Sequence, residues 1–194
     1  KAIQLLPGVT TVGEGASGFN VRGGAIDQNL VLLDEAPVYN SAHLFGFFSV
    51  FNPDAVKEVE LTKGGIPANY GGRLSSTLDV RTKDGNNKKF GVEGGVGTIF
   101  SRLLVEGPIK KNKASFVIAG RRSYIDVLAK PFLNSDLQNA RFNFYDLTAK
   151  VNWKYNARNK FYISSYLGDD IFSDPRFFGV KYGNNTLTAR WNHV

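Results

Sequence analysis

The sequence predicts a mainly β chain in two parts: a small α+β unit over residues 1–83, then an incomplete antiparallel sheet of about 5–6 long strands over residues 84–194. Three observations point there. Before residue 84 the segments are short, mixed and broken by glycine. At Lys83-Asp84-Gly85-Asn86-Asn87-Lys88-Lys89 the chain passes through a polar, turn-forming stretch. After it, apolar and polar residues alternate over long runs.

In the first part, Ala2-Ile3-Gln4-Leu5-Leu6 reads as a helix end stopped by Pro7-Gly8. Val12-Gly13-Glu14-Gly15-Ala16-Ser17-Gly18 holds the glycine spacing of a dinucleotide loop. That fingerprint needs a buried strand before it and a helix starting inside it. Here Phe19-Asn20-Val21-Arg22 follows and alternates as a strand does, so the glycines are assigned to tight turns. Leu30 to Leu33 is a short apolar run, read as a buried strand. Asn52-Pro53-Asp54 carries an N-cap, a proline at the first helical position and an early carboxylate, which predicts a brief helix to about Lys57. Strands are expected at Glu58 to Thr62 and Ser76 to Thr82.

In the second part, Tyr145, Leu147, Ala149, Val151, Trp153 and Tyr155 alternate with Asp146, Thr148, Lys150, Asn152 and Lys154. A strand puts these two sets on opposite faces. Phe161, Ile163 and Leu167 share a face in the next run, and Leu187, Ala189 and Trp191 in the one after. Lys110 to Lys113 and Asn156 to Asn159 read as tight turns, with long connections expected at about Leu128 to Asn143 and Ser173 to Asn185. Short turns alternating with long loops, and strands of roughly ten residues with aromatic ends, fit an outer-membrane barrel. A soluble antiparallel sheet with its apolar face on a core alternates in the same way, so both readings stand at this point.

Composition narrows the chemistry. The chain has no Cys and two His, His43 and His193, which removes disulfide frameworks, thiolate nucleophiles and cysteine-based zinc sites. No nucleophile–base pair stands out, so neither catalytic residues nor a metal nor a cofactor is expected. His43 reads as a loop or packing residue and His193 as interfacial. The net charge is +7, with clusters at Lys88-Lys89, Lys110-Lys111-Lys113 and Arg121-Arg122. These are read as turn and surface charge rather than a nucleic-acid footprint. No run of about 18 apolar residues exists, hence no transmembrane helix. The chain opens on Lys1 and closes on Trp191-Asn192-His193-Val194 inside a strand-like run, and both ends read as cuts.

Several short motifs come in order: Leu6-Pro7-Gly8-Val9, Phe19-Asn20-Val21-Arg22-Gly23-Gly24, Val31-Leu32-Leu33-Asp34-Glu35-Ala36-Pro37, Val59-Glu60-Leu61-Thr62-Lys63-Gly64-Gly65, Tyr70-Gly71-Gly72 and Leu78 to Lys83. Together they resemble the plug domain of TonB-dependent outer-membrane receptors. Glu106-Gly107-Pro108-Ile109 is similar to the start of that family's barrel. The resemblance implies a small α+β plug domain followed by the first strands of a truncated transmembrane β-barrel. Two positions depart from the family pattern: Glu35 stands where Gly is common, and Lys63-Gly64-Gly65 where Arg-Gly-Pro is frequent.

The function so implied is TonB-dependent active uptake of a ligand (siderophore, glycan, vitamin or peptide) across the outer membrane of a Gram-negative bacterium. Its partners would be TonB, outer-membrane lipid, the ligand and a surface lipoprotein, with no nucleic acid. The resemblance makes Arg22 and Lys63 candidates for plug–barrel ion pairs, although lysine lacks the bidentate fork of arginine. Tyr39, Asn40 and His43, in Tyr39 to Phe51, are candidates for an apical ligand loop, with Phe45, Phe47 and Phe48 read as packing. Arg121, Arg122 and Asp126 are candidates to line the lumen, and Leu147, Val151 and Trp153 to face lipid. The alternative is a soluble, basic, β-rich module that binds glycan or nucleic acid. The two differ in whether the Leu147, Val151 and Trp153 face is bare or buried in a core.

Overall fold

The structure is a computed structural model and describes residues 2–13, 16–132, 140–174, 176 and 178–194. Gly15 of the glycine-rich stretch and residues 133–139 of the expected Leu128-to-Asn143 connection lie outside these. The chain divides into two units, Lys1–Phe51 with Val56–Thr82, and Asn52–Ala55 with Lys83–Val194.

The first unit opens with a 3-10 turn at Ala2–Leu5 and strands β1 (Val9–Thr11) and β2 (Phe19–Val21), which pair antiparallel. No helix begins after Gly18, so the nucleotide setting is absent there. Next come β3 (Asn29–Leu33), β4 (Ala36–Pro37), β5 (Ala42–His43), β6 (Phe48–Ser49), β7 (Val56–Thr62) and β8 (Ser76–Thr82). A four-stranded sheet runs β4-β3-β8-β7, with β3 and β8 parallel and the other pairs antiparallel. A parallel pair needs apolar cover on both faces, and the Leu30–Leu33 run supplies it. Val21, Val31, Leu33, Leu78 and Val80 are buried. Asn29 ties the pieces together: its amide donates to the Phe19 carbonyl at 2.9 Å, and its oxygen accepts from Ser76 Oγ at 2.7 Å.

The helix expected from Asn52 does not form. Asn52 Oδ1 accepts the Asp54 N–H at 3.1 Å and the Asn52 carbonyl accepts the Ala55 N–H at 3.0 Å, which closes a single turn. Val56 then enters β7 and pairs with Thr82. The signals for an N-cap and for an Asx turn are the same side-chain hydrogen bond. The alternating run after Val56 decides for the turn.

The second unit is a six-stranded antiparallel meander: β9 (Gly91–Val96), β10 (Phe100–Lys110), β11 (Ala114–Ser123), β12 (Arg141–Lys154), β13 (Asn159–Asp174) and β14 (Phe178–His193). A short helix, α1 (Ile125–Ala129), follows β11. The connection expected at Ser173 to Asn185 is instead the tip of a long hairpin, whose pairing continues from Asn159↔His193 to Asp174↔Phe178. Gly179 and Gly183-Asn184-Asn185 carry turn signals in the sequence, yet they stay within the ladder.

Burial in this sheet runs opposite to that in the first unit. On β12, Leu147 is 40 % and Trp153 47 % exposed, whereas Asp146 and Lys150 on the other face are 3 % and 4 % exposed. Ile163, Leu187 and Trp191 are likewise bare, while Tyr166 and Asp170 are buried. A small apolar cluster of Ala55, Leu104, Val117 and Ala119 lies on the buried face.

Candidate functional site

On the buried face of the sheet, β11 and β12 are in register with Arg121 opposite Asp146. Arg121 donates from Nε and Nη2 to Asp146 Oδ2, both at 2.7 Å. Its guanidinium lies 5.6 Å from the Phe100 ring centroid and 5.3 Å from that of Phe144. Burying two charges is costly, and the pair is tolerated because donor, acceptor and aromatic faces are assembled together. Lower on the same face, Lys150 Nζ pairs with Asp84 at 3.1 Å and lies over the Tyr162 ring, which also carries Arg190 at 4.3 Å. Arg102 pairs with Asp54 at 3.0 Å. The face is a charged, hydrogen-bonded lining, which suits a wet channel wall.

Arg122 does not join it. Strand alternation turns Arg122 to the opposite face, paired with Tyr145 beside Leu147, so of the two arginines only Arg121 faces the charged side. Asp126 sits in the first turn of α1, where its carboxylate accepts from the Val127 N–H at 2.9 Å and from Asn143 Nδ2 at 3.0 Å. It holds the turn above the strand rather than lining the wall.

In the first unit, Arg22 and Lys63 border one open recess of about 610 Å³ with Gly23, Gly24, Gly64 and Gly65. Lys63 Nζ donates to the Pro7 carbonyl at 2.7 Å. A Cβ on Gly64 would come within 2.7 Å of Arg22 Nη1, so glycine there lets the guanidinium cross the backbone. Arg22 is held at φ 49°, the left-handed region that non-glycine residues enter at a cost of about 1–2 kcal/mol. Among the described residues neither cation has a carboxylate partner.

The Asp34-Glu35 turn between β3 and β4 has φ of 45° and 74° at its two central positions, the mirror-image turn that favours glycine. Glu35 stands where the family commonly has Gly, and two anchors offset the strain. The Asp34 carboxylate accepts the Thr82 N–H at 3.1 Å and the Thr82 hydroxyl. Arg81 bridges Glu35 at 3.1 Å and Asp79 at 2.8 Å. Burial by itself would lower the Arg81 pKa; the Asp79 and Glu35 carboxylates override it and hold it above its usual value.

The Tyr39-to-Phe51 segment corrects one expectation. His43 is 1 % exposed, inside β5 opposite Phe48, so its side chain is not presented at the surface with Tyr39. Phe45 and Phe47, read as packing the plug against the barrel wall, stand 67 % and 62 % exposed within this chain, with Leu44 and Phe45 at positive φ. Tyr39 is 81 % exposed, and Asn40 Oδ1 accepts the Ala42 N–H at 3.4 Å. Among the described residues no group of three His, Asp or Glu side chains is placed to hold a metal ion.

Sequence reasoning missed Asp146, Phe144, Lys150 and Asp84 as site residues. Asp146 was within reach as a polar-face residue of the best alternating run, but its pairing with Arg121 crosses the long β11–β12 connection and was not. Breaking this pair from one side is expected to be costly. Asp146→Asn should lower folding stability by about 3–5 kcal/mol, whereas the double change Arg121→Met with Asp146→Leu should cost much less. Denaturant unfolding in detergent micelles reads both, and equal losses would contradict a pair held mainly by mutual compensation.

Residues 1–76 match the family model described as the TonB-dependent Receptor Plug Domain. No curated protein sequence matches the chain. Among solved structures, the siderophore receptor PirA from Acinetobacter baumannii is similar at TM-score 0.60 and 18 % identity, over 88 % of this chain and 29 % of that one. A variant of the ferric enterobactin receptor PfeA from Pseudomonas aeruginosa is similar at TM-score 0.63 and 14 % identity, over 100 % and 35 %. The copper transporter OprC is similar at TM-score 0.65 and 14 % identity, over 97 % and 30 %. The chain thus spans about a third of the length of these structures. The bare apolar face is the arrangement of an outer-membrane barrel wall, and it is the reverse of what a soluble module requires. Residues 1–76 are thus a TonB-dependent receptor plug domain, and the chain as a whole shares the fold of the plug and adjoining barrel strands of these structures, the arrangement of a Gram-negative outer-membrane protein.

Proposed function

We propose that the chain gates and begins to line the lumen of a receptor that takes up its ligand actively, driven by TonB. The observation that carries this reading is the pairing of a plug-type unit with an inside-out sheet, where Arg121, Asp146 and Lys150 are buried and Leu147, Val151 and Trp153 are bare. A lumen wide enough to pass a ligand needs a stopper. The stopper here has its own core around Val21, Leu78 and Val80, and so keeps its shape when displaced.

The matched structures include a siderophore receptor, a ferric enterobactin receptor and a copper transporter. That supports a metal-bearing cargo as the first ligand class to test, with glycan, vitamin and peptide behind it. Tyr39 is the exposed aromatic best suited to meet a ligand, since a ring stacks on flat or apolar groups. Arg22 and Lys63 are proposed to hold the plug through ion pairs to barrel carboxylates. Pairs in a semi-wet lumen are remade as water enters, which suits a removable part.

Uptake of a radiolabelled ferric siderophore by cells carrying the receptor should fall to background when TonB is deleted. Uptake that persists without TonB would contradict the mechanism. Arg22→Ala with Lys63→Ala should raise leak conductance of the receptor in planar bilayers, and conductance indistinguishable from the wild type would remove the ion-pair role.

A further inference from the structure

The lysine clusters that read as plain surface charge in the sequence converge at one end of the second unit. The β10–β11 turn contributes Lys110, Lys111 and Lys113, with the Lys113 N–H on the Lys110 carbonyl at 2.9 Å. The β12–β13 hairpin contributes Lys154, Arg158 and Lys160, with Lys154 paired opposite Lys160. The two turns are joined, since the Lys154 N–H donates to the Lys113 carbonyl at 2.7 Å. The segment carrying Lys88 and Lys89 is tied in by the Asn112 N–H on the Asn87 carbonyl at 3.0 Å. All of these cationic side chains are exposed, and among the described residues none makes an ion pair. The nearest acid in the group, Asp84, is already taken by Lys150.

The far end of the same sheet is different. There Lys181 pairs with Asp169 at 3.2 Å and Arg176 with Asp174 at 2.9 Å, so two of the cations carry acid partners. The cationic end also borders an aromatic band on the bare face. Trp153, Phe161 and Trp191 follow one another across three strands with ring centroids 6.0 Å apart, and Trp191 Nε1 donates to Asn159 Oδ1 at 2.9 Å. Aromatic rings of this kind sit at headgroup depth. The exposed cations of the two turns, Lys110, Lys111, Lys113 and Arg158, lie beyond this band and so fall at the level of lipid phosphates.

We propose that this short-turn rim is a binding surface for anionic phospholipid headgroups of the periplasmic leaflet, carried by the turn cations Lys110, Lys111, Lys113 and Arg158. Charge complementarity selects the anion, and continuity with the lipid-facing aromatic band selects a lipid over a nucleic acid or an acidic protein. The inference rests on the barrel reading of the sheet. It does not depend on what the receptor transports.

The intact receptor, purified in detergent, is mixed with phosphatidylglycerol and phosphatidylcholine of equal chain length, and the lipid retained is read by native mass spectrometry. Wild type should retain phosphatidylglycerol preferentially, and the preference should weaken as salt is raised. Removing Lys110, Lys111, Lys113 and Arg158 together as glutamines should erase it, at roughly fivefold per charge removed. The double change Lys111→Gln with Lys113→Gln should give an intermediate loss and serves if the fourfold variant does not fold. Lys181→Gln at the far end should leave the preference intact. Equal retention of the two lipids by wild type, or a preference that survives the fourfold change, would overturn the proposal. Ligand uptake is measured in parallel: TonB-independent uptake with intact lipid preference would sink the transport reading and leave this one standing.

Discussion

The period of two along a β-strand is the constraint from which the rest of this structure follows. Within a bilayer no water is available to the backbone, so every N–H and C=O of a spanning segment must bond to a neighbouring strand. The second unit meets this with unbroken ladders, such as the run from Arg141↔Ser173 to Lys154↔Lys160. Pairing at that register leaves two faces and no third choice. A slip of one residue would carry Asp146 and Lys150 onto the apolar side and bring Leu147 and Val151 to the charged side. Register is therefore fixed by the cost of misplacing charge as firmly as a soluble sheet's is fixed by its core.

The two units obey opposite burial rules within one chain. The plug buries valines and leucines and spends its polar groups on caps and crosslinks, as with Asn29 and Asp34. The wall buries an arginine, a lysine and two aspartates on one face and leaves leucine and tryptophan bare on the other. The Arg121–Asp146 contact between two phenylalanine rings shows how the wall tolerates this: each charge is matched before it is desolvated. Among the described residues, Arg22, Asp34, Glu35, Leu44 and Phe45 in the plug hold positive φ, as does Asn112 in the β10–β11 turn, and the Asp34-Glu35 turn is anchored by Thr82 and Arg81 from far along the sequence.

Much of this was legible in the sequence, in proportion to how local the signal was. The alternation from Tyr145 to Tyr155 displayed both faces of β12 outright, and the Leu30–Leu33 run displayed a buried strand. The errors fall where one local signal serves two structures. Asn52 caps a turn with the bond that would have capped a helix. The tips of β13 and β14 look like loop because Gly179 and Gly183-Asn184-Asn185 carry turn signals although they stay within the ladder. Arg121 and Arg122 were grouped because they are neighbours, although neighbours in a strand point apart. The burial of His43 and the Arg121–Asp146 pair depend on contacts set by tertiary register, which no window of sequence displays.

Within this chain, which has no cysteine, single cysteines can be placed along β12 and spin-labelled site by site. The most direct test is the electron paramagnetic resonance accessibility of labels at residues 145 to 153 of the receptor in bilayers, read against oxygen and against a water-soluble nickel chelate. The account predicts oxygen access that peaks at 147, 149 and 151, with the nickel complex excluded there, and an out-of-phase pattern at 146, 148 and 150. Labels at 147 and 151 that are shielded from both reagents, as in a protein core, would contradict it.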